Sequence, residues 1–444
     1  MPFRGWRAWT FLALAVLGVM AGAQTAAAQI SDDLGVIGQL QYQDANGNKV
    51  FVEGVELTID GVGSSTTDAE GKFRIPVSGP GEYEITLNIE TLPSGVALKD
   101  ATRGTIVANV SENNDQRVIF ALIEGDSTTV SESNFSARRI GQLTLEGIKL
   151  GLYLAMAAIG LSLIFGTTGL VNFAHAEMVT WGALMTYFFN VYGLVGAIGL
   201  LAGFPAPLGG PVNFILATML SMVAGAVLGY LLNRVIFRTS RDAGVSLLAQ
   251  MVMTIGLSIL LRYLFVYFFG GKYRSYSEYG AQRANVFFGL ELTTRDAVAM
   301  AISVVVLVVV GFGLTTTRTG RAMRAVSDSR DLAESSGINV ERVIAQVWMF
   351  GGALAALSGT FFGFDTVKWE LGTRILLLIF AAVTLGGLGT SFGALVGALI
   401  VGIAINWSTL VIDPELKNMT ALFVLILALL LRPQGILGKK QRIG

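Results

Sequence analysis

The 444-residue chain is 53% hydrophobic and only 14% charged, against about 25% charged residues in an ordinary soluble domain, which excludes a soluble enzyme. Its 31 Lys and Arg balance 31 Asp and Glu, so no bulk positive charge speaks for nucleic-acid binding. With no cysteine and a single histidine, His175, the chain excludes disulfides, Cys nucleophiles and thiolate or multi-histidine metal sites, and no cofactor is expected in it.

In chain order, Arg4 and Arg7 precede an apolar run from residue 8 to 23, and Ala26-Ala27-Ala28 offers a small-residue cleavage site before Gln29. Residues 1–28 read as a signal peptide, with an uncleaved anchor as the alternative. Either way the next segment is exported. Charge then divides the chain: residues 29–140 hold 8 Lys and Arg against 17 Asp and Glu, whereas residues 141–444 hold 21 against 14. An acidic module precedes a basic, apolar one.

In the acidic module, runs at 50–52, 55–59, 72–75, 83–87 and 118–120 alternate with Gly, Asn, Asp and Pro clusters, and Asn46-Gly47 is a tight-hairpin dipeptide. That spacing predicts a small all-β sandwich over 29–123. The stretches 67–73 and 79–83 resemble the prealbumin-like sandwiches called carboxypeptidase regulatory-like domains, and the resemblance implies a spacer or adhesion surface. Residues 124–140, polar and rich in Ser and Thr, read as a linker.

The remainder, 141–444, carries uncharged runs at 150–174, 178–233, 245–261, 297–314, 343–364, 375–412 and 418–431. A bilayer crossing needs about 20 apolar residues. The run 178–233 holds two spans around the turn at 204–211, and 375–412 holds two short ones split at Gly386-Gly387-Leu388-Gly389. The expected fold class is therefore an α-helical polytopic membrane protein of about nine spans with an N-terminal sandwich. Arg234, Arg238 and Arg241, then Arg318, Arg321, Arg324, Arg330 and Arg342, then Lys439, Lys440 and Arg442 fall on one side if nine spans start outside and finish inside. Lys272, Arg274, Arg283 and Arg295 argue against this from the other side, diluted by Glu278 and Glu291. The expected location is the inner (plasma) membrane, with an extracytoplasmic N-terminal module and a cytoplasmic C-terminus.

Residues 315–341 form the most informative polar insertion, because they are long enough for a helix and sit between two spans. Asp328 or Ser329 can cap a short helix and Gly337 can end it. One reading is a rigid lever on which a separate ATPase pushes; the other is a basic loop that only fixes orientation. Here motifs gather. Gly320-Arg321-Ala322-Met323-Arg324-Ala325-Val326 with Gly337-Ile338-Asn339, the stretch 166–178 containing Asn172-Phe173-Ala174-His175-Ala176-Glu177, Thr384-Leu385-Gly386-Gly387-Leu388-Gly389-Thr390, and the stretch 431–438 together resemble the branched-chain amino acid ABC transporter permeases, in that family's order. Ala176 stands where the family usually has glycine.

The resemblance implies an importer permease for branched-chain or other small amino acids. It further implies a second related permease, two ATP-binding subunits and an extracytoplasmic solute-binding protein as partners, with Gly320, Arg321, Ala322, Arg324, Ala325, Gly337, Ile338 and Asn339 as the ATPase-coupling segment. In agreement, no Gly-x-x-x-x-Gly-Lys-Ser/Thr phosphate loop occurs in the chain, so ATP hydrolysis belongs to another subunit and this chain is not an enzyme. A urea or short-amide permease and an ion-coupled secondary transporter are the alternatives.

Candidate pathway residues are Asn172, His175, Glu177 and Arg262. The first three lie where Gly166 and Gly169 interrupt an apolar stretch, and an interrupted helix exposes backbone dipoles suited to a zwitterion. Their local alternative is to satisfy that interruption. Arg262 suits a substrate carboxylate, or else snorkels from a span end to the headgroups. Gln250, Thr254 and Asn406 read as bonds between helices, and recurrent glycines such as Gly352, Gly359, Gly393, Gly397 and Gly402 as close packing inside the bundle.

Overall fold

A computed structural model describes residues 34–438 except 44–48, 99–103, 111–114, 119, 121, 125–136, 197–211, 272, 279–283, 288–289, 413–415 and 433. Residues 1–28, expected to be a signal peptide, the turn expected at 204–211, and Lys272, Arg283, Lys439, Lys440 and Arg442 lie outside the described residues.

The N-terminal module is built from β1 (Leu34–Gln39), β2 (Gln41–Gln43), β3 (Lys49–Phe51), β4 (Glu56–Ile59), β5 (Gly63–Thr66), β6 (Lys72–Val77), β7 (Gly81–Leu87), β8 (Val96–Leu98), β9 (Thr105–Val110), β10 (Gln116–Val118) and β11 (Leu122–Glu124). One sheet runs β5-β4-β7-β9 and a second β10-β1-β6, with β2-β3 and β11-β8 as two-stranded ribbons. Strict alternation along β6 turns Phe73, Ile75 and Val77 inward. Val36 and Ile75 from one sheet meet Leu57, Ile85 and Val110 from the other in a single core, as a sandwich requires. The Asn-Gly turn falls outside the described residues, but β2 and β3, which flank it, pair antiparallel.

Nine long helices follow among the described residues. They are α1 (Ala137–Thr168), α2 (His175–Gly196), α3 (Phe214–Asp242), α4 (Leu247–Phe269), α5 (Thr294–Thr316), then, after the short α6 (Arg318–Asp328) and α7 (Arg330–Ser335), α8 (Val340–Phe362), α9 (Leu371–Gly386), α10 (Ser391–Ser408) and α11 (Lys417–Leu431). Among the described residues α1, α3, α4, α5, α8 and α10 are long and apolar enough to cross a bilayer, and α9 and α11 are shorter apolar helices. A hairpin, β12 (Ala284–Phe287) with β13 (Leu290–Thr293), lies between α4 and α5.

The connections sort to two ends of the bundle. At the first, Gln142 Nε2 donates to Glu291 O (3.0 Å), Lys149 pairs with Asp296 (3.0 Å) and Arg295 with Asp365 (3.2 Å). The sandwich meets this end, where Glu82 lies 3.5 Å from Lys368 and the Lys368 ammonium lies 4.0 Å over the Tyr273 ring. Burial and the hydrogen bond to Glu82 push the Tyr273 hydroxyl above its ordinary range. At the second end, Arg241 pairs with Glu341 (2.9 Å), and Ile436 and Leu437 donate backbone N–H groups to Leu385 and Gly386 (2.8 and 2.9 Å).

Two boundaries differ from expectation. α1 starts 13 residues before the apolar run at 150, because Lys149 is neutralised by Asp296 and Gln142 donates a hydrogen bond to the β13 backbone. α4 continues to Phe269, seven residues past Arg262. The dissenting positive loop is also accounted for in part. Arg274 is buried, donates to the Phe269 carbonyl and lies 5.0 Å over Tyr187, while Arg295 ties Asp365 and the Phe364 carbonyl. These two charges hold connectors together.

Helix contacts rest on small residues. A Cβ added to Gly151 of α1 would stand 2.8 Å from the Leu399 Cα of α10, so the two backbones touch. Gly352, Gly359, Gly393, Gly397 and Gly402 likewise face neighbouring backbone, the packing role read from the sequence.

Candidate functional site

Two places in the helical half gather unusual side chains. The first arises where α1 ends. The chain turns at Gly169, whose φ of +68° is a left-handed conformation that glycine adopts without strain. Residues 169–174 then run back into the bundle, because His175 Nε2 donates to the carbonyl of Ala157 (2.9 Å), about 16 Å of helix from the end of α1. α2 thus begins inside the bundle. Its irregular approach is satisfied locally: Asn172 Oδ1 accepts from the Ala174 N–H (3.0 Å) and Thr254 Oγ1 from the Phe173 N–H (3.1 Å). Unpaired backbone at such depth would be costly.

Glu177, in the first turn of α2, is fully buried. Its Oε1 accepts from Arg262 Nη2 (3.2 Å) and Ser258 Oγ (3.3 Å) of α4 and from Thr373 Oγ1 (3.5 Å) of α9, and its Oε2 accepts from Thr180 Oγ1 (3.3 Å). Thr180 Oγ1 in turn accepts from the Gly372 N–H (2.9 Å), which seats the start of α9 beside the carboxylate. Three helices therefore converge on one charge. α4 contributes through a four-residue stripe, Gln250, Thr254, Ser258 and Arg262, and these are buried or half-buried while most of its apolar surface is exposed.

Of the four residues expected on a pathway, the structure joins Glu177 and Arg262 in one ion pair. Asn172 and His175 bind the chain break to its surroundings, although Asn172 Nδ2 and His175 Nδ1 have no partner among the described residues. Because Nε2 donates to a carbonyl, neutral His175 leaves Nδ1 as an acceptor. The headgroup reading of Arg262 does not hold, since two helical turns follow it and its partner lies within the bundle. Sequence reasoning missed Ser258, Thr180 and Thr373. The period-four polar stripe on α4 was the available signal for Ser258; nothing in the sequence marks Thr373 as a neighbour of Glu177.

The second place is the insertion between α5 and α8. Thr317 caps α6 by accepting from the Gly320 N–H (3.0 Å), Ser329 caps α7 by accepting from the Leu332 N–H (3.4 Å), and Asn339 caps α8 by accepting from the Arg342 N–H (2.9 Å). Gly337, at φ +81°, closes α7 while its N–H and that of Ile338 bond to Glu334 and Ala333. One face, Gly320, Met323, Val326 and Ala333, is buried, with Ala322, Ala325 and Ile338 packed partly against the same core. Arg321 and Arg324 stay exposed and donate to the Thr316 and Thr315 carbonyls at the end of α5 (2.8 and 3.2 Å). Leu332 stands 69% exposed at the tip.

Glu341, which sequence reasoning passed over, anchors this insertion: Arg241 and Arg238 of α3 and Arg330 of α7 all approach it (2.9, 3.7 and 3.2 Å). The other motifs converge beside it. A Cβ on Gly166 would meet Ser327 Oγ at 2.5 Å and Gly389 O at 3.2 Å, and one on Gly387 would meet Gly438 N at 2.6 Å. The insertion, the end of α1, the α9–α10 turn and the C-terminal segment are one packed unit.

The family described as branched-chain amino acid transport system / permease component matches residues 143–429. The chain is 29% identical over 315 residues to the high-affinity branched-chain amino acid transport system permease protein LivH of Escherichia coli, covering 68% of this chain and 96% of that one. It is 30% identical over 311 residues to the corresponding BraD protein of Pseudomonas aeruginosa, with the same coverage. A more distant likeness, 24% over 269 residues, is to the fructose import permease protein FruG of Bifidobacterium longum, covering 54% of this chain and 76% of that one. The family match begins after the sandwich.

Proposed function

Since the chain belongs to the branched-chain amino acid transport permease family, we propose that it is the membrane subunit of an ABC importer that moves branched-chain or other small amino acids by alternating access. ATP is hydrolysed by two separate subunits that grip the insertion of α6 and α7; a second related permease completes the pathway, and an extracytoplasmic solute-binding protein delivers the solute. The chain is a multi-pass inner-membrane transporter. With the sandwich outside, the second end of the bundle faces the cytosol.

The observation that carries this reading is the insertion itself. A loop that served only to fix orientation would need its arginines and nothing more. This one is capped at every helix start, seated on the bundle through Gly320, Met323 and Val326, and anchored by Glu341 to α3. Force on its exposed Arg321, Arg324 and Leu332 would reach Gly166 through Ser327, and from there the chain break that leads to Glu177.

The test is co-purification of the full chain with its neighbours, before and after Arg321→Glu with Arg324→Glu. The reading predicts an ATPase subunit that is lost in the variant while the membrane subunits stay together. Uptake by vesicles that contain the chain and no ATPase would overturn it in favour of an ion-coupled carrier.

A further inference from the structure

The Glu177–Arg262 pair is a poor choice for holding helices together. Burying two charges repays their desolvation badly, and apolar side chains of similar size would bind α2 to α4 at least as well. Within a membrane, charges persist where they meet a partner or a pathway. This pair has features of both. Its members sit on different helices, so separation of α2 from α4 opens it. It is not sealed: Glu177 is fully buried, but the Arg262 side chain keeps 24% of its surface exposed. Donors surround it as well. Ser258, Thr180 and Thr373 hydroxyls point at the carboxylate, and Trp181, one turn beyond Glu177, is buried with its Nε1–H unpartnered among the described residues. Trp181 stacks on Phe265 (centroids 5.8 Å apart), three residues from Arg262, and gives the pair an apolar wall.

Resting on the importer reading above, the geometry points to a zwitterion site: as α2 and α4 part, Glu177 takes the ammonium of an amino acid and Arg262 its carboxylate. No bond is made or broken. Two ion pairs replace one, and the net charge in the bundle is unchanged when the solute enters and when it leaves. The permease itself therefore selects a solute with both charges, instead of leaving all selection to a binding protein.

The experiment uses the assembled complex in proteoliposomes with two probes, L-leucine and its deaminated analogue isocaproate. The binding protein discriminates equally in every variant, so its contribution cancels in a comparison of ratios. Glu177→Gln is expected to lower leucine uptake on the order of tenfold to a hundredfold, the worth of a hydrogen bond to a charged group, and to pull the leucine-to-isocaproate ratio toward one, because the ammonium has lost its partner. Glu177→Asp, which keeps the charge and a partner for Arg262, moves the ratio the same way by less and serves where Glu177→Gln does not assemble. Equal losses for both probes would mean a structural bridge and would overturn the site, as would uptake unchanged by either variant. Co-purification of the ATPase reports separately on the importer: its absence sinks that reading, whereas an assembled complex with an unmoved ratio sinks only the zwitterion site.

Discussion

At the scale of single residues the pairing of Glu177 with Arg262 decides more than any other contact, because a lone buried charge costs far more than a matched pair gains. Arg262→Met alone should destabilise the purified chain by about 3–5 kcal/mol, since it strands a fully buried carboxylate. The double variant Glu177→Gln with Arg262→Met should recover most of that loss. Thermal unfolding in detergent measures both, and equal destabilisation by the single and double variants would show that the two groups are not coupled. Both residues were visible in the sequence as charges in apolar surroundings, but 85 positions separate them and nothing local joins them. Only the return of residues 169–174 into the bundle brings α2's first turn beside α4. The headgroup reading of Arg262 failed for the same reason: an uncharged run ended there, while the helix, whose arginine is neutralised by a distant partner, did not.

At the scale of elements, what is local in sequence was legible and what is tertiary was not. Ser329 and Gly337 could be read as helix signals because capping depends on residues three or four apart, while the Asn339 cap of α8 went unread. Gly337→Ala should cost about 1 kcal/mol, the strain of a side chain in the left-handed region, and should loosen the α6–α7 insertion more than the bundle, as hydrogen exchange of 318–336 would show. Glu341 was not legible, since its three arginines come from two other elements. Glycines divide in the same way. Gly151→Val should destabilise strongly, by about 3 kcal/mol or more, because α10 backbone occupies the space. Gly256→Ala on α4, where a Cβ would meet nothing, should change stability by less than about 1 kcal/mol. Equal effects of the two on thermal unfolding would contradict the packing described for α1 and α10.

At the scale of the whole molecule, a polytopic helical bundle of about nine spans and an N-terminal sandwich were readable because bilayer length and strand alternation are imposed by solvent, not by partners. The depth at which α2 and α9 begin was not, since hydropathy reports how long an apolar run is and not where a helix starts within it. Among the described residues the sandwich meets the helices at Glu82, beside Lys368 and Tyr273. Deleting residues 31–136 while keeping the first 30 should therefore leave the bundle folded and able to assemble, judged by co-purification of its partners. Unchanged uptake in that variant would show that the sandwich has no part in solute delivery.

The proposed function requires the α6–α7 insertion to lie in the cytosol, within reach of a motor, and the sandwich to lie outside. The chain has no cysteine, so single substitutions give an unambiguous map. Ser64→Cys on the sandwich and Arg321→Cys on α6 are both exposed positions. In intact spheroplasts a membrane-impermeant maleimide should label Ser64→Cys at once and Arg321→Cys only after the membrane is opened. Labelling of Arg321→Cys in sealed spheroplasts would contradict the account.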